Sequence, residues 1–403
     1  MNTATLVIFG LVYLGMILGE IPPLALDRTG VALLGAIAVV AVGREPLHGA
    51  WSGVDMPTLH LLFAMMVVSA QFRLAGFYTH VSRRLVAADV SPPRLLALVV
   101  GLAGLLSAVL TNDIVCLAMA PVLVEGCARR GLDPLPFLLA LACASNVGSA
   151  ATLIGNPQNI LIGQALRLSF TGYLKDAGVP VLLGLIATWA VIAFQFRGRW
   201  RRELPAPQIT APTFNRWQSF KGLAVTAVLV VAFLFVPRLP REWVALVCAG
   251  ILLLSRRMAS REMMSLVDWQ LLVLFVGLFV VNDAFQRTGA MTDVMSFARA
   301  HGVDPAHPAA LFGLSVLLSN LVSNVPATML LLPSATHPQA GAILALATTL
   351  AGNLLIVGSI ANIIVVTAAR PLGVSIGFRT HLRTGVPVTL ATLALAALWM
   401  LIV

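Results

Sequence analysis

The stretch from Ser145 to Asn159 (SNVGSAATLIGNPQN) interrupts an apolar run that reaches from Pro136 to Ile162. It carries three Asn, one Gln, two Ser, one Thr, two Gly and one Pro. By length the run belongs at membrane depth, where a backbone N–H or C=O released at Gly155 or Pro157 costs several kcal/mol unless it finds a partner. A straight lipid-facing helix has no use for such a composition. A broken helix buried in protein or lining a wet cavity does, and that is where transporters bind substrate and ions. A Pro-kinked helix packed through small residues is the plainer alternative. It accounts for the Gly and Ser but not for the amides.

The rest of the chain agrees with a membrane setting. Only 10% of residues are charged and 59% are apolar, whereas soluble domains run near 25% charged. Continuous rather than alternating apolar runs select helices over a barrel. Met1 to Gly19 has no Lys or Arg, which predicts no cleaved signal peptide. Cys116, Cys127, Cys143 and Cys248 lack CxxC spacing and read as small core residues. A soft-metal role for the first three is the alternative. The seven histidines are scattered without metal-ligand spacing.

Runs long enough to cross a bilayer fall at about 4–21, 29–43, 57–75, 135–165 and 177–195, then 220–236, 242–255, 269–286, 338–367 and 384–403. Segments 94–126 and 308–334 are apolar with polar centres and read as re-entrant helical hairpins. The halves repeat. Val31-Ala32-Leu33 recurs as Val244-Ala245-Leu246, and Asp55 and Gly76 as Asp268 and Gly289, all at an offset of 213. Leu106-Ser107, Thr111-Asn112 and Pro121 match Leu318-Ser319, Ser323-Asn324 and Pro333 at 212, and Gly155 and Asn159 match Gly358 and Asn362 at 203. The predicted organisation is repeat 1 over 1–196, a linker over 197–219 and repeat 2 over 220–403. Each repeat has five crossings and one hairpin. An odd count inverts the second repeat, the architecture of secondary transporters.

Charge orients the chain. With both termini outside, 19 of the 26 Lys and Arg residues face the cytoplasm, among them Arg73, Arg129, Arg201 and Arg257. The positive-inside rule thereby absorbs the net charge of +10, and no nucleic-acid surface is implied.

Asp113, at the first hairpin turn, is costly at membrane depth, by about 2.5–3.5 kcal/mol at a helix centre. It is a candidate for cation coordination or protonation; the alternative is an N-cap for a returning arm from Ile114. The second turn, Ser323-Asn324-Val325-Pro326, has no acid. The second broken helix has no proline, so its break must rest on Gly352 and Gly358. Oxygen ligands suit a hard cation and half-helix N-termini suit an anion. Asn282-Asp283, Glu20 and Glu125 read as solvated helix ends. No HExxH, nucleophile–base pair or GxxxxGK[ST] loop is present, so the chain reads as a transporter and not an enzyme. A channel built on the same broken helices is the other class.

Leu110-Thr111-Asn112-Asp113, Asn156-Pro157-Gln158-Asn159 and Ser323-Asn324-Val325-Pro326 together resemble the citrate-transporter-like members of the ion transporter superfamily. These include arsenite/antimonite efflux pumps, Na⁺/H⁺ antiporters and sodium-coupled dicarboxylate carriers, and the pattern is most similar to YbiR-type bacterial anion permeases. The resemblance spans essentially the whole chain. It implies an all-α fold with a scaffold and an elevator-type transport domain, a homodimer in the plasma (inner) membrane of a prokaryote, and no cofactor beyond Na⁺ or H⁺ as coupling ion. The implied ligands for a small anion or oxyanion are Thr111, Asn112, Ser145, Asn146, Gly155, Asn159, Ser323, Asn324, Gly358 and Asn362. Asp113, Asn156 and Asn353 join them on their own chemistry, with Na⁺ near Asn112, Asp113 and Asn146. Asp113 and Val325 stand where dicarboxylate carriers have Thr, a departure that points away from dicarboxylates. Arsenite or antimonite efflux and Na⁺/H⁺ antiport are the further alternatives.

Overall fold

Apolar runs become helices here, and local caps decide where each begins. Asp55 Oδ1 accepts from the Thr58 N–H at 3.3 Å and Asp268 Oδ1 from Leu271 N–H at 2.9 Å, so the repeated Asp of the sequence is a repeated N-cap. The repeated glycines, Gly76 and Gly289, take left-handed backbone at φ 66° and 80° and start the next helix in each half. The computed structural model describes residues 2–21, 25–43, 49, 51–209 and 212–402.

The first half contains α1 (Asn2–Leu18), α2 (Arg28–Gly43), α3 (Met56–Leu74), α4 (Phe77–Val86) and α5 (Pro92–Val109). It continues with α6 (Asn112–Arg129), α7 (Leu135–Ser149), α8 (Pro157–Ala165) and α9 (Phe170–Gln195). The second half opens with α10 (Arg216–Phe235), α11 (Arg241–Leu253), a short α12 (Ser260–Met264), α13 (Trp269–Arg287) and α14 (Ala290–Ala300). Then come α15 (Pro308–Val322), α16 (Asn324–Leu331), α17 (Ala340–Ala351), α18 (Ile360–Ala369) and α19 (Phe378–Ile402). A two-residue antiparallel ladder joins Glu20–Ile21 to Leu26–Asp27. Among the described residues six helices are long and apolar enough to cross a membrane: α3, α5, α9, α10, α13 and α19. The protein is an all-α, multi-pass membrane protein.

Packing between the halves is reciprocal. α2 lies on α13, and α11 lies on α3; α6 lies on α18, and α16 lies on α8. Within each half the first hairpin arm packs on the first segment of the broken helix, α5 on α7 and α15 on α17. These segments are the centre of the molecule: Pro136 to Ser149 and all of α17 are buried. Gly148 makes the close packing possible, because a Cβ there would fall 2.3 Å from Gly104 Cα and O on α5.

Several local expectations change. The linker helix boundary falls at Arg216, capped by Asn215 Oδ1, so residues 216–219 belong to α10. The amphipathic α4 and α14 stand where the sequence reading has no element. Asn282 is not at a solvated end: it lies inside α13, 6% exposed, and accepts from Tyr13 Oη at 3.0 Å. Asp283 pairs with Arg287 at 2.8 Å. Glu125 is 4% exposed and bridges Arg129 at 2.7 Å and Arg83 at 3.3 Å, since burying a carboxylate requires partners. The Glu20 side chain lies outside the described residues.

Candidate functional site

Both broken helices unwind where the sequence loses helix formers. The first stops at Ser149 and resumes at Pro157, whose missing N–H suits a first helical position. Asn156 caps it, with Oδ1 accepting from the Asn159 N–H at 2.9 Å. The second stops at Ala351 and resumes at Ile360 after a single 3₁₀ turn, Ile356–Gly358. Its cap is Ser359, accepting from the Ala361 N–H at 3.2 Å.

The unwound carbonyls are met by amides. Asn159 Nδ2 donates to Ser149 O and Thr152 O, and Asn362 Nδ2 to Gly352 O and Leu355 O. This satisfies groups that would otherwise be orphaned in a dry interior.

Around these turns two polar clusters form, each drawing on both halves. In the first, Asn146 is the hub. Its Nδ2 donates to Asn353 Oδ1 at 2.8 Å and Asn362 Oδ1 at 3.2 Å, and its Oδ1 accepts from Ser359 Oγ at 2.8 Å and Asn112 Nδ2 at 3.3 Å. In the second, Thr349 stands where Asn146 stands, 203 positions on. Its hydroxyl accepts from Gln158 Nε2 at 3.1 Å and Asn156 Nδ2 at 3.4 Å, and donates to Asn159 Oδ1 at 3.4 Å. Asn324 completes it: with its NH₂ toward Gly358 O and Thr348 O, both at 3.2 Å, its oxygen accepts from Gln158 at 3.1 Å.

The hairpin tips differ. Thr111, not Asp113, is the N-cap residue of α6, which begins at Asn112; the expected cap by Asp113 for an arm starting at Ile114 does not occur. Asp113 lies in the first turn, where a carboxylate complements the helix dipole. No hydrogen bond to its side chain is found among the described residues. Thr111 is held by Ser69 of α3, its Oγ1 donating at 2.9 Å, and the Asn112 N–H donates to Gly155 O at 3.3 Å. At the other tip Ser323 has φ 75° and ψ 162°, a region that glycine favours and other residues occupy at a cost of about 1–3 kcal/mol. Two buried polar atoms of the first hairpin, Asn112 Oδ1 and Ser107 Oγ, have no hydrogen-bond partner among the described residues.

Of the predicted residues, Asn112, Asn146, Asn353 and Asn362 meet in the first cluster; Asn156, Asn159, Asn324 and Gly358 meet in or beside the second. Gly155 joins through its carbonyl. Ser145 does not join: its Oγ donates to Ala142 O at 2.9 Å and lies 3.0 Å from Cys116 Sγ. The sequence reading missed Ser69, Gln158, Thr349, Ser359, Tyr173 and His381. The offset of 203 would have found two of them, since it maps Asn146 onto Thr349 and Asn156 onto Ser359.

Four helices start at these clusters, α6, α8, α16 and α18, so about half a positive charge per N-terminus converges there. Four others, α5, α7, α15 and α17, end beside them and turn carbonyls inward. The arrangement can hold an anion on N–H groups and a cation on oxygens within one buried region.

A family model described as citrate transporter (CitMHS) matches residues 6–351. A Mycobacterium tuberculosis protein described as an uncharacterized transporter is 31% identical over 404 residues, covering 93% of each chain. The rice silicon efflux transporter LSI3 is 28% identical over 467 residues, covering 96% of this chain and 95% of its own. The fold is similar to the crystal structure of the Alcanivorax borkumensis YdaH transporter, with TM-score 0.61 and 15% identity, covering 98% and 96% of the two chains.

Proposed function

Since the chain belongs to the CitMHS citrate transporter family, we propose that this membrane transporter is secondary active and moves a small anion or oxyanion coupled to Na⁺ or H⁺. The supporting observation is the pair of polar clusters at the two breaks, which leave Asn112 Oδ1 without a partner among the described residues. An orphaned buried acceptor is a cost of about 1–3 kcal/mol, and a bound cation beside Asp113 and Asn146 removes it. The substrate anion then takes the converging N-termini. The reciprocal packing of the halves supports inverted repeats, with the clusters carried by a transport domain that moves against a scaffold in a homodimer of the inner membrane.

A second reading on direction and cargo, oxyanion efflux, rests on the rice relative named for silicon efflux. Purified protein in proteoliposomes tests both: uptake of citrate, arsenite and silicate, each with and without Na⁺ and at pH 6 and 8. Saturable flux of one probe that follows an imposed Na⁺ or H⁺ gradient is expected. Flux that neither saturates nor responds to a gradient indicates a channel.

A further inference from the structure

In each half a side chain of the following long helix bonds one carbonyl of the break, Ala150 O in the first and Asn353 O in the second. Tyr173 Oη of α9 donates to Ala150 O at 2.6 Å; His381 Nε2 of α19 bonds Asn353 O at 3.0 Å. The carbonyls are 203 positions apart and the two side chains 208, so they occupy corresponding places. A carbonyl only accepts, so His381 Nε2 carries the hydrogen and Nδ1 keeps a lone pair. Nδ1 has no hydrogen-bond partner among the described residues. His381 is 2% exposed. A phenol stays protonated near neutrality, whereas an imidazole titrates there.

His381 shares the first cluster's frame with one acid, Asp113, the neighbour of Asn112 on α6. α7 brings Cys143 alone, and α17 and residues 356–358 bring no ionisable side chain. The end of α9 faces the start of α19, since Thr384 Oγ1 donates to Gln195 Oε1 at 2.8 Å. Tyr173, Lys175 and Asp176 therefore sit at the far end of α9. On α19 itself Arg379 and Arg383 are exposed. A cavity of about 730 Å³, lined by Gln195, Thr380, Arg383 and Thr384, opens beside this turn.

We propose that His381 is a proton-binding positioning residue of this transporter. Nδ1 takes a proton from the cavity side, Nε2–H stays on Asn353 O, and the charged ring tightens its hold on that carbonyl. Asn353 Oδ1 is the acceptor for Asn146, so the proton is felt at the first cluster. The proposal rests on the transport reading and names H⁺ as a ligand of the same site.

The test begins without substrate. Thermal unfolding of wild type, His381→Gln and His381→Tyr is followed from pH 5.5 to 8.5. The wild-type midpoint should move by about 2 °C or more relative to both variants across that range; a constant difference overturns the proposal. If both variants fail to fold, ¹⁵N spectra of ring-labelled wild type decide, with the other six histidines assigned by substitution. A His381 ring that titrates in the range supports the proposal, and one that does not overturns it. With citrate, arsenite or silicate as probe, wild-type flux should change about tenfold between pH 6 and 8 and His381→Tyr flux less than about twofold. A wild type that moves none of the three counts against the transport reading, while the substrate-free titration still decides the role of His381.

Discussion

Asn159 and Asn362 stand 203 positions apart and make the same two bonds. Each amide reaches back to the carbonyls ten and seven residues before it, at 3.4 and 2.9 Å for Asn159 and at 2.8 and 3.0 Å for Asn362. One residue type, placed identically twice, holds open two backbone breaks that the interior would otherwise close.

Replacing either residue by Ala should therefore cost about 2–4 kcal/mol, because two buried carbonyls lose their donor at about 1–3 kcal/mol each with partial relaxation. Thermal unfolding in detergent measures it. A loss under about 0.5 kcal/mol would mean that solvent already serves these carbonyls.

The hairpin amides should part company. Asn112 makes one side-chain bond and leaves Oδ1 unpaired, so Asn112→Ala should abolish transport with stability near wild type. Asn324 is bonded on both ends, so Asn324→Ala should lose transport and also about 1–3 kcal/mol of stability. Normal transport by either variant removes its tip from the binding site.

Asp113→Asn separates charge from shape. Removing one negative charge a few Å from a bound cation costs ~4 kcal/mol at an effective dielectric near 20, or ~1000-fold in ion affinity. Ion-dependent uptake and ion-dependent stabilisation should both fall. If coupling is unchanged in Asp113→Asn, the carboxylate serves only the helix dipole, an effect of about 0.3–1 kcal/mol.

Orientation is checked by cysteine labelling. Single cysteines at Arg201 and Arg257 should react from the cytoplasm and those at Lys175 and Arg299 from outside. Arg201 and Lys175 labelling from the same side would sink the inverted arrangement.

What the sequence made legible was whatever repeats or breaks locally. Asp55 and Asp268, Gly76 and Gly289 recur because caps and left-handed turns are decided within a few residues. The first break was visible in Pro157 and its flanking amides. Partnership across the chain left no local trace: Asn282 looked like a helix end, yet its partner Tyr13 is 269 positions away. Glu125 looked solvated because Arg83 lies 42 positions earlier. The amphipathic α4 and α14 escaped notice because ten or so residues with paired charges fall short of any spanning run. His381 was one of seven scattered histidines until Asn353 O was placed beside it.

The reciprocal packing of α2 on α13 and of α11 on α3 also governs how the chain is born. When the ribosome has released residues up to Gln195, α2 and α6 still lack α13 and α18, the surfaces they will bury against. The first half must wait in the bilayer, inserted but unfinished, until synthesis delivers its counterpart. Two fragments severed between 203 and 209 and made together are expected to recover the assembly.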